Sequence, residues 1–251
     1  MYQDITLTIE NRIAHLQISR PECLNAIRIQ TYQDIIAGLK EADQSDEVSV
    51  IVVSGANNVF TAGNDLSDLV GSEENLKVLM DCVQGIIETG NSVTKPVIAA
   101  VEKVAVGIGT TFLLHCDMVV AGENTKFRMP FANLGVCPEG ASSYLLEKHV
   151  GPKIAAELLM TGRFFSAQEA EKWGLINQTC EPKQALEKAM ELAKELLKQP
   201  LPSLLETKRL MRQDIIDQVP TVSENELNAF VDLLKSESTQ ARINMMLKGA
   251  K

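Results

Sequence analysis

The chain has 251 residues, of which 45% are hydrophobic, 23% are charged and 4% are aromatic, which excludes collagen-like, fibrous and disordered classes. Its 33 acidic residues outnumber 24 basic ones, so the net charge of -9 offers no basic field for a nucleic acid or an anionic membrane. We therefore expect neither nucleic acid nor membrane as a partner.

The cysteine pattern and the N-terminal residues point to a reducing compartment. The five cysteines are scattered and never spaced as C-x-x-C, which argues against a disulfide framework and against a zinc site. Residues 1–4 lack the start of a secretory signal, and no apolar run reaches ~18 residues, the length of a membrane span. These features predict a cytoplasmic protein without a metal site.

Strands and helices alternate from the N-terminus to about residue 180. Alternating apolar residues predict a β-hairpin over 5–9 and 13–18, and we expect Thr31 to cap the helix that follows. The next predicted elements are a strand over 48–53, a helix over 76–87, a strand over 97–101, a short helix over 110–115 and a strand over 118–121.

The pattern becomes helical after a last predicted strand. Ser166 and Glu169 form a capping box that begins a helix, which Gly174 ends before a strand over 175–177. Three helical segments follow, over 183–198, 203–217 and 223–248, and prolines, Pro220 among them, are expected to separate them. The sequence thus predicts an α/β core over 1–182 and a helical C-terminal subdomain over 183–251.

Two glycine-containing loops follow apolar strands, where open α/β sheets bind ligands. Gly63 lets the first loop approach a ligand closely, so the amide of Asn64 can point into a pocket, although an ordinary turn is an equal alternative. The second loop, 105–111, has free amides at a helix start that can face an oxyanion. Phe112 stands at the third glycine position of a dinucleotide fingerprint, which argues against nucleotide binding there.

A third loop contains a candidate general base. Glu139 lies between Pro138 and Gly140 in a stretch, 129–146, that holds no other charge. Apolar surroundings would raise the pKa of its carboxyl group, as a base at neutral pH requires. The alternative is an exposed glutamate in the first turn of a helix that starts at Gly140 or Ala141.

Together these segments resemble the crotonase (enoyl-CoA hydratase/isomerase) superfamily. The resemblance rests on R-P-E-C-L-N-A at 20–26, A-G-N-D-L at 62–66 and K-P-V-I-A-A-V at 95–101, in that order. It implies an α/β crotonase (ClpP/crotonase-like) fold of stacked ββα units and an oxyanion hole made by the amides of Asn64 and Ile108. The CoA arm would contact Cys23, Leu24, Ala62, Gly63, Asn64, Asp65 and Leu66.

The resemblance also implies an assembly and a pathway. Relatives form homotrimers, often paired into hexamers, act in fatty acid β-oxidation, and use no cofactor beyond the CoA of the substrate. We interpret Lys248 and Lys251 as a solvated helix end, with a contact to a CoA phosphate as the alternative.

Two departures from the hydratase pattern refine the expected reaction. Hydratases of this family carry a glutamate at the positions that hold Thr111 and Phe131 here. Hydration needs an activated water and a proton donor, work normally shared by two carboxylates. Glu139 instead resembles the single base of peroxisomal-type Δ3,Δ2-enoyl-CoA isomerases. We therefore expect such an isomerase; the alternatives are a hydratase or other thioester-enolate enzyme and a non-catalytic acyl-CoA-binding homologue.

Overall fold

The computed structural model describes residues 1–70 and 72–249. The strands are β1 (Ile5–Glu10), β2 (Ile13–Ile18), β3 (Val50–Gly55), β4 (Val97–Val101), β5 (Val104–Val106), β6 (Met118–Gly122), β7 (Lys126–Arg128), β8 (Phe165–Ser166) and β9 (Gln178–Cys180). The α-helices are α1 (Ile29–Gln44), α2 (Glu73–Ser92), α3 (Ile108–Thr111), α4 (Phe131–Leu134), α5 (Ser142–Val150), α6 (Pro152–Thr161), α7 (Ala167–Lys172), α8 (Ala185–Leu196), α9 (Leu201–Leu234) and α10 (Glu237–Gly249).

The strands form two sheets, and helices cover both faces of the larger one. The larger sheet has the order β1-β2-β3-β4-β6-β9, and all its pairs except the β1–β2 hairpin are parallel. The smaller sheet has the order β5-β7-β8. Both faces of the larger sheet are covered, one by α1 and α2 and the other by α8, which explains the unbroken apolar run of β3.

The C-terminal helices extend the α/β core. No strand follows Cys180 in the described residues, and α9 and α10 contribute Leu227, Phe230 and Ile243 to the main apolar cluster. The division into two domains at residue 182 stays a prediction. The end of the predicted second domain, with Lys251 and the Lys248 side chain, lies outside what the structure describes. Within the described ranges, no helix is both long and apolar enough to cross a bilayer.

The expected N-cap of α1 at Thr31 is wrong. The helix begins at Ile29 with Arg28 as its N-cap, and Thr31 lies in the first turn. The Thr31 hydroxyl accepts the Arg28 N–H at 3.3 Å and donates to Asp4 Oδ2 at 2.6 Å. The Thr31 hydroxyl therefore bonds residues that precede the helix. A capping pattern in the sequence does not distinguish this third helical position from an N-cap.

The strand expected over 175–177 is also wrong, because these residues belong to the turns that follow the end of α7. The amides of Leu175 and Ile176 both donate to the Ala170 carbonyl, at 2.9 and 3.4 Å. Their side chains are buried, which accounts for their apolar character. Pairing with β6 follows only in Gln178–Cys180.

Pro220 does not break the C-terminal helices as expected, since α9 runs through it without interruption. A proline inside a helix leaves the carbonyl four residues earlier without its usual N–H donor. Here that carbonyl, of Ile216, accepts from the Asn91 side-chain amide of α2 at 3.3 Å. A tertiary hydrogen bond thus replaces the missing helical one.

Candidate active site

The first two glycine loops cross each other in close contact. Gly63 has φ +89°, and a Cβ at this position would lie 2.5 Å from the Val106 carbonyl oxygen. An isolated β-bridge between Thr61 and Ala105 joins the same two segments. Only glycine allows this approach, which brings the chain at Asn64 beside the start of α3.

Two backbone amides at this crossing are free to donate. The neighbouring amides of Gly63, Asp65 and Gly107 each donate to an oxygen of the protein, at 3.0, 2.9 and 2.9 Å. Within the described residues, no backbone or side-chain acceptor takes the amide hydrogen of Asn64 or of Ile108. The two donors that the sequence singles out are thus the unsatisfied ones, as an oxyanion hole requires.

Glu139 is buried beside α3. Only 2% of its surface is exposed, which excludes the alternative of an exposed glutamate at a helix start. Its Oε1 accepts the Thr111 hydroxyl at 2.9 Å, and its Oε2 finds no partner among the described residues. The approach is close because Gly140 has φ +80°, and a Cβ there would lie 2.7 Å from Thr111 Cβ.

The surroundings of Glu139 suit a general base. Burial raises the pKa of its carboxyl group to about 8, the Thr111 hydrogen bond acts against this shift, and the nearby Glu226 carboxylate adds to it. Thr111, at a position where the resemblance places a glutamate in hydratases, donates its hydroxyl hydrogen to Glu139. A carboxyl group with this pKa exchanges protons readily near neutral pH.

A cavity of about 200 Å³ opens over the crossing loops. Its wall includes Asn64, Gly107 and Phe131, and the C-terminal helices close it with Phe230 and Met246. The lining is mostly apolar, as an acyl chain requires. Glu139 and Ile108 are buried and are not among the residues that line this cavity.

The residues predicted to contact CoA divide into two groups. Ala62, Gly63, Asn64 and Leu66 line the cavity, and the Leu24 carbonyl accepts the Ala62 amide at 3.0 Å. Cys23, Leu24 and Asp65, by contrast, do not line it: Cys23 belongs to a short 3-10 helix and Asp65 accepts the Ser67 hydroxyl at 2.7 Å. Contact of all seven residues with CoA stays a prediction.

Two polar side chains of the site escape sequence reasoning. The Tyr32 hydroxyl donates to Asn64 Oδ1 at 2.5 Å, and burial, followed by the charge of Glu139, raises the pKa of the phenol. Glu226, from α9, is 7% exposed and faces the Glu139 loop. An aromatic residue on the apolar face of a helix is usually interpreted as core, whereas a carboxylate on such a face is a signal that could have been found.

Comparison with known proteins identifies the family. The model of the enoyl-CoA hydratase/isomerase family matches residues 8–250. The chain belongs to this family. Enoyl-CoA delta isomerase 2 of Rattus norvegicus is 34% identical over 88% of the chain, which spans 58% of that protein. The 2,3-dehydroadipyl-CoA hydratase of Escherichia coli K12 is 29% identical over 98% of the chain and 96% of its own length.

Solved structures confirm the crotonase fold. An enoyl-CoA hydratase/isomerase from Pseudoalteromonas atlantica T6c superposes with a TM-score of 0.89 at 28% identity, covering 98% of each chain. The predicted α/β crotonase fold with a helical C-terminal region is therefore confirmed. As a member of this enzyme family, the chain is expected to act on acyl-CoA thioesters, and its relatives include both hydratases and isomerases.

Proposed function

We propose that this enzyme shifts the double bond of a 3-enoyl-CoA to trans-2-enoyl-CoA, with Glu139 as its single acid/base. The observation that carries the proposal is the pairing of one buried carboxylate, Glu139, with the hydroxyl of Thr111, which stands where a hydratase has one of its two glutamates. The other hydratase position holds Phe131, which is buried and lines the cavity. Neither side chain can activate water as a base.

In the proposed reaction, the free amides stabilise the oxyanion and the Glu139 carboxylate transfers the proton. The thioester oxygen would accept hydrogen bonds from the amides of Asn64 and Ile108. The Glu139 carboxylate then removes a proton from C2, and the electron pair spreads over the dienolate. The same carboxyl group returns this proton to C4, which leaves the double bond between C2 and C3 and regenerates the carboxylate.

Substrate binding requires a local rearrangement around the cavity. Glu139 is buried and does not line the cavity in this conformation, so we expect the acyl group to displace side chains in order to bring C2 within its reach. Phe230 and Met246 come from helices that close the cavity from one side, and they are the natural residues to move. Catalytic contacts often tighten only in the substrate complex.

The test compares two reactions on one protein sample. Wild-type enzyme should isomerise cis- or trans-3-enoyl-CoA much faster than it hydrates trans-2-enoyl-CoA. Glu139→Gln keeps shape but cannot accept a proton, so isomerisation should fall ~10²–10⁴-fold. A saturated acyl-CoA should bind both forms equally, which controls for folding. Near-normal turnover in Glu139→Gln, or equal rates of hydration and isomerisation, would contradict the proposal.

The remaining predictions about the assembly and the cell accompany this proposal. We propose that the enzyme forms homotrimers or hexamers, works in the cytoplasm on fatty acyl-CoA intermediates, and needs no metal or redox cofactor. The reaction supports the last point, because proton transfer through a dienolate changes no oxidation state.

A further inference from the structure

Helix α9 carries a carboxylate on the face that packs against the Glu139 loop. Glu226 is 7% exposed, and Phe230, one turn further along α9, lines the cavity. A buried carboxylate is unfavourable unless hydrogen bonds satisfy it. Its partners therefore indicate why this position holds a charged residue.

The partners of Glu226 all belong to one turn of the chain. Its Oε1 accepts the backbone N–H of Ser143 at 2.8 Å, and its carbonyl oxygen accepts the Cys137 thiol at 3.4 Å. The amide of Ala141 and the Ser143 hydroxyl also favour its charged form. Glu226 thus supplies from α9 the cap that α5 lacks, since the N-cap residue, Ala141, has no side-chain oxygen.

The turn that Glu226 holds is the turn that positions Glu139. The Ser142 hydroxyl donates to the Glu139 carbonyl at 2.6 Å, and His115 Nε2 lies 2.8 Å from the Gly140 carbonyl oxygen. Ala141 has φ +55°, a conformation that a residue with a side chain keeps only when its surroundings enforce it. The contacts to Glu226 are part of that enforcement.

The two carboxylates also interact through their charges. Glu139 Oε2 and Glu226 Oε2 are both buried without a partner among the described residues. The charge of Glu226 contributes to the raised pKa of Glu139. Burial raises the pKa of Glu226 as well, while hydrogen bonds from Ser143 and from the Ala141 amide act against this shift and favour the carboxylate.

The other titratable groups around Glu139 are neutral in the same pH range. Tyr32, from α1, has a pKa well above its ordinary value of 10.0, and burial raises the pKa of the Cys137 thiol. Burial lowers the pKa of His115, beside Gly140, to about 4, so its ring is uncharged. Glu226 is therefore the neighbour whose charge Glu139 experiences.

We propose that Glu226 is a positioning residue for the proposed isomerisation, which holds the 137–143 turn in its catalytic conformation and places a second negative charge beside Glu139. The inference rests on the proposed function for its kinetic consequences. Beyond the proposed function, Glu226 connects helix α9 to the proposed base, Glu139.

Two substitutions separate the hydrogen bond from the charge. Glu226→Gln keeps an oxygen for the Ser143 amide but removes the charge, so Glu139 should ionise at lower pH. The rise of kcat/KM with pH should move down by about one pH unit, with a plateau close to that of wild type. Glu226→Ala removes both, so kcat at the plateau should fall ~10–100-fold with little change in KM, because the base is misplaced.

The control is Glu224→Gln, an exposed glutamate on the same helix, which should leave the pH profile and the plateau unchanged. Carbon-13 NMR of the glutamate carboxyl groups supplies a readout that does not depend on turnover, with the Glu139 signal assigned by Glu139→Gln. Its titration midpoint should fall in Glu226→Gln and stay in Glu224→Gln.

The results distinguish this inference from the proposed function. An unchanged Glu139 midpoint in Glu226→Gln, or equal plateaus for Glu226→Ala and Glu226→Gln, would overturn the role of Glu226. A shifted midpoint in a protein that isomerises no 3-enoyl-CoA would support the coupling of the two carboxylates and refute the proposed reaction instead.

Discussion

The protonation state of Glu139 depends on a hydrogen bond from Thr111 as well as on burial. The Thr111 hydroxyl donates to the carboxylate at 2.9 Å and counteracts the upward shift of its pKa that burial causes. In the proposed reaction, the position that holds a glutamate in a hydratase tunes the basicity of a single carboxylate.

Replacing Thr111 by valine keeps the volume and removes the donor, so the pKa of Glu139 should rise further. Because the base must be ionised to accept the C2 proton, the rise of kcat/KM should move to higher pH, and turnover at pH 7 should fall about tenfold, which corresponds to about one pKa unit. Thr111→Ser, which keeps the hydroxyl, is the matched control. Identical pH profiles for Thr111→Val and Thr111→Ser would refute the role of this hydrogen bond.

Sequence reasoning found Glu139 but not Glu226, and the reason is physical. Glu139 stands alone in an uncharged stretch, which is a local signal. Its neighbour Glu226 is brought to the same turn by the packing of α9, and 83 residues separate it from its hydrogen-bond partner Ser143. Tyr32 is likewise placed beside Asn64 only by tertiary packing.

Elements that local patterns define were predicted best. Strand β4 has the predicted bounds, because Pro96 precedes it and its apolar run is buried on both faces. Helix α9 covers the segment expected over 203–217 and the first part of the one expected over 223–248, which the pattern separates because a proline stands at residue 220. The helix continues there, and the freed carbonyl of Ile216 accepts from the side chain of Asn91, which is distant in the sequence.

Pro220→Ala tests this account of α9. Alanine restores the missing N–H donor, and proline is ~3 kcal/mol less favourable than alanine in a helix interior. The gain should be smaller here, because Asn91 already donates to the Ile216 carbonyl. We expect the free energy of unfolding in urea to rise by about 1–2 kcal/mol with an unchanged m-value. Asn91→Ala should then destabilise the parent protein more than it destabilises Pro220→Ala. A loss of stability in Pro220→Ala would contradict the account.

For the whole molecule, burying Glu139, the proposed base, lowers stability above the pH at which it ionises in the unfolded chain. The folded protein holds the Glu139 proton with a pKa of about 8, whereas the ordinary value is 4.5. The folded state therefore binds this proton more tightly than the unfolded state, and stability is lost as pH rises from about 4.5 through 8.

Glu139→Gln should consequently be more stable than wild type at alkaline pH. At 1.36 kcal/mol per pKa unit, the gain at pH 9 should be roughly 2–5 kcal/mol, and it should vanish towards pH 4.5. Denaturant unfolding at a series of pH values measures it, with the exposed Glu224→Gln as the control. A gain that does not depend on pH would mean that Glu139 does not titrate in the folded protein as described.

The fate of one proton tests the single-base reaction most directly. Substrate 3-enoyl-CoA with deuterium at both C2 positions is converted in ordinary water, and NMR or mass spectrometry locates the deuterium in trans-2-enoyl-CoA. Because Glu139 is 2% exposed, part of the abstracted deuterium should be returned before it exchanges, so product with deuterium at both C2 and C4 is expected. Product that carries only solvent hydrogen at C4 would contradict a buried carboxylate that takes and returns the same proton.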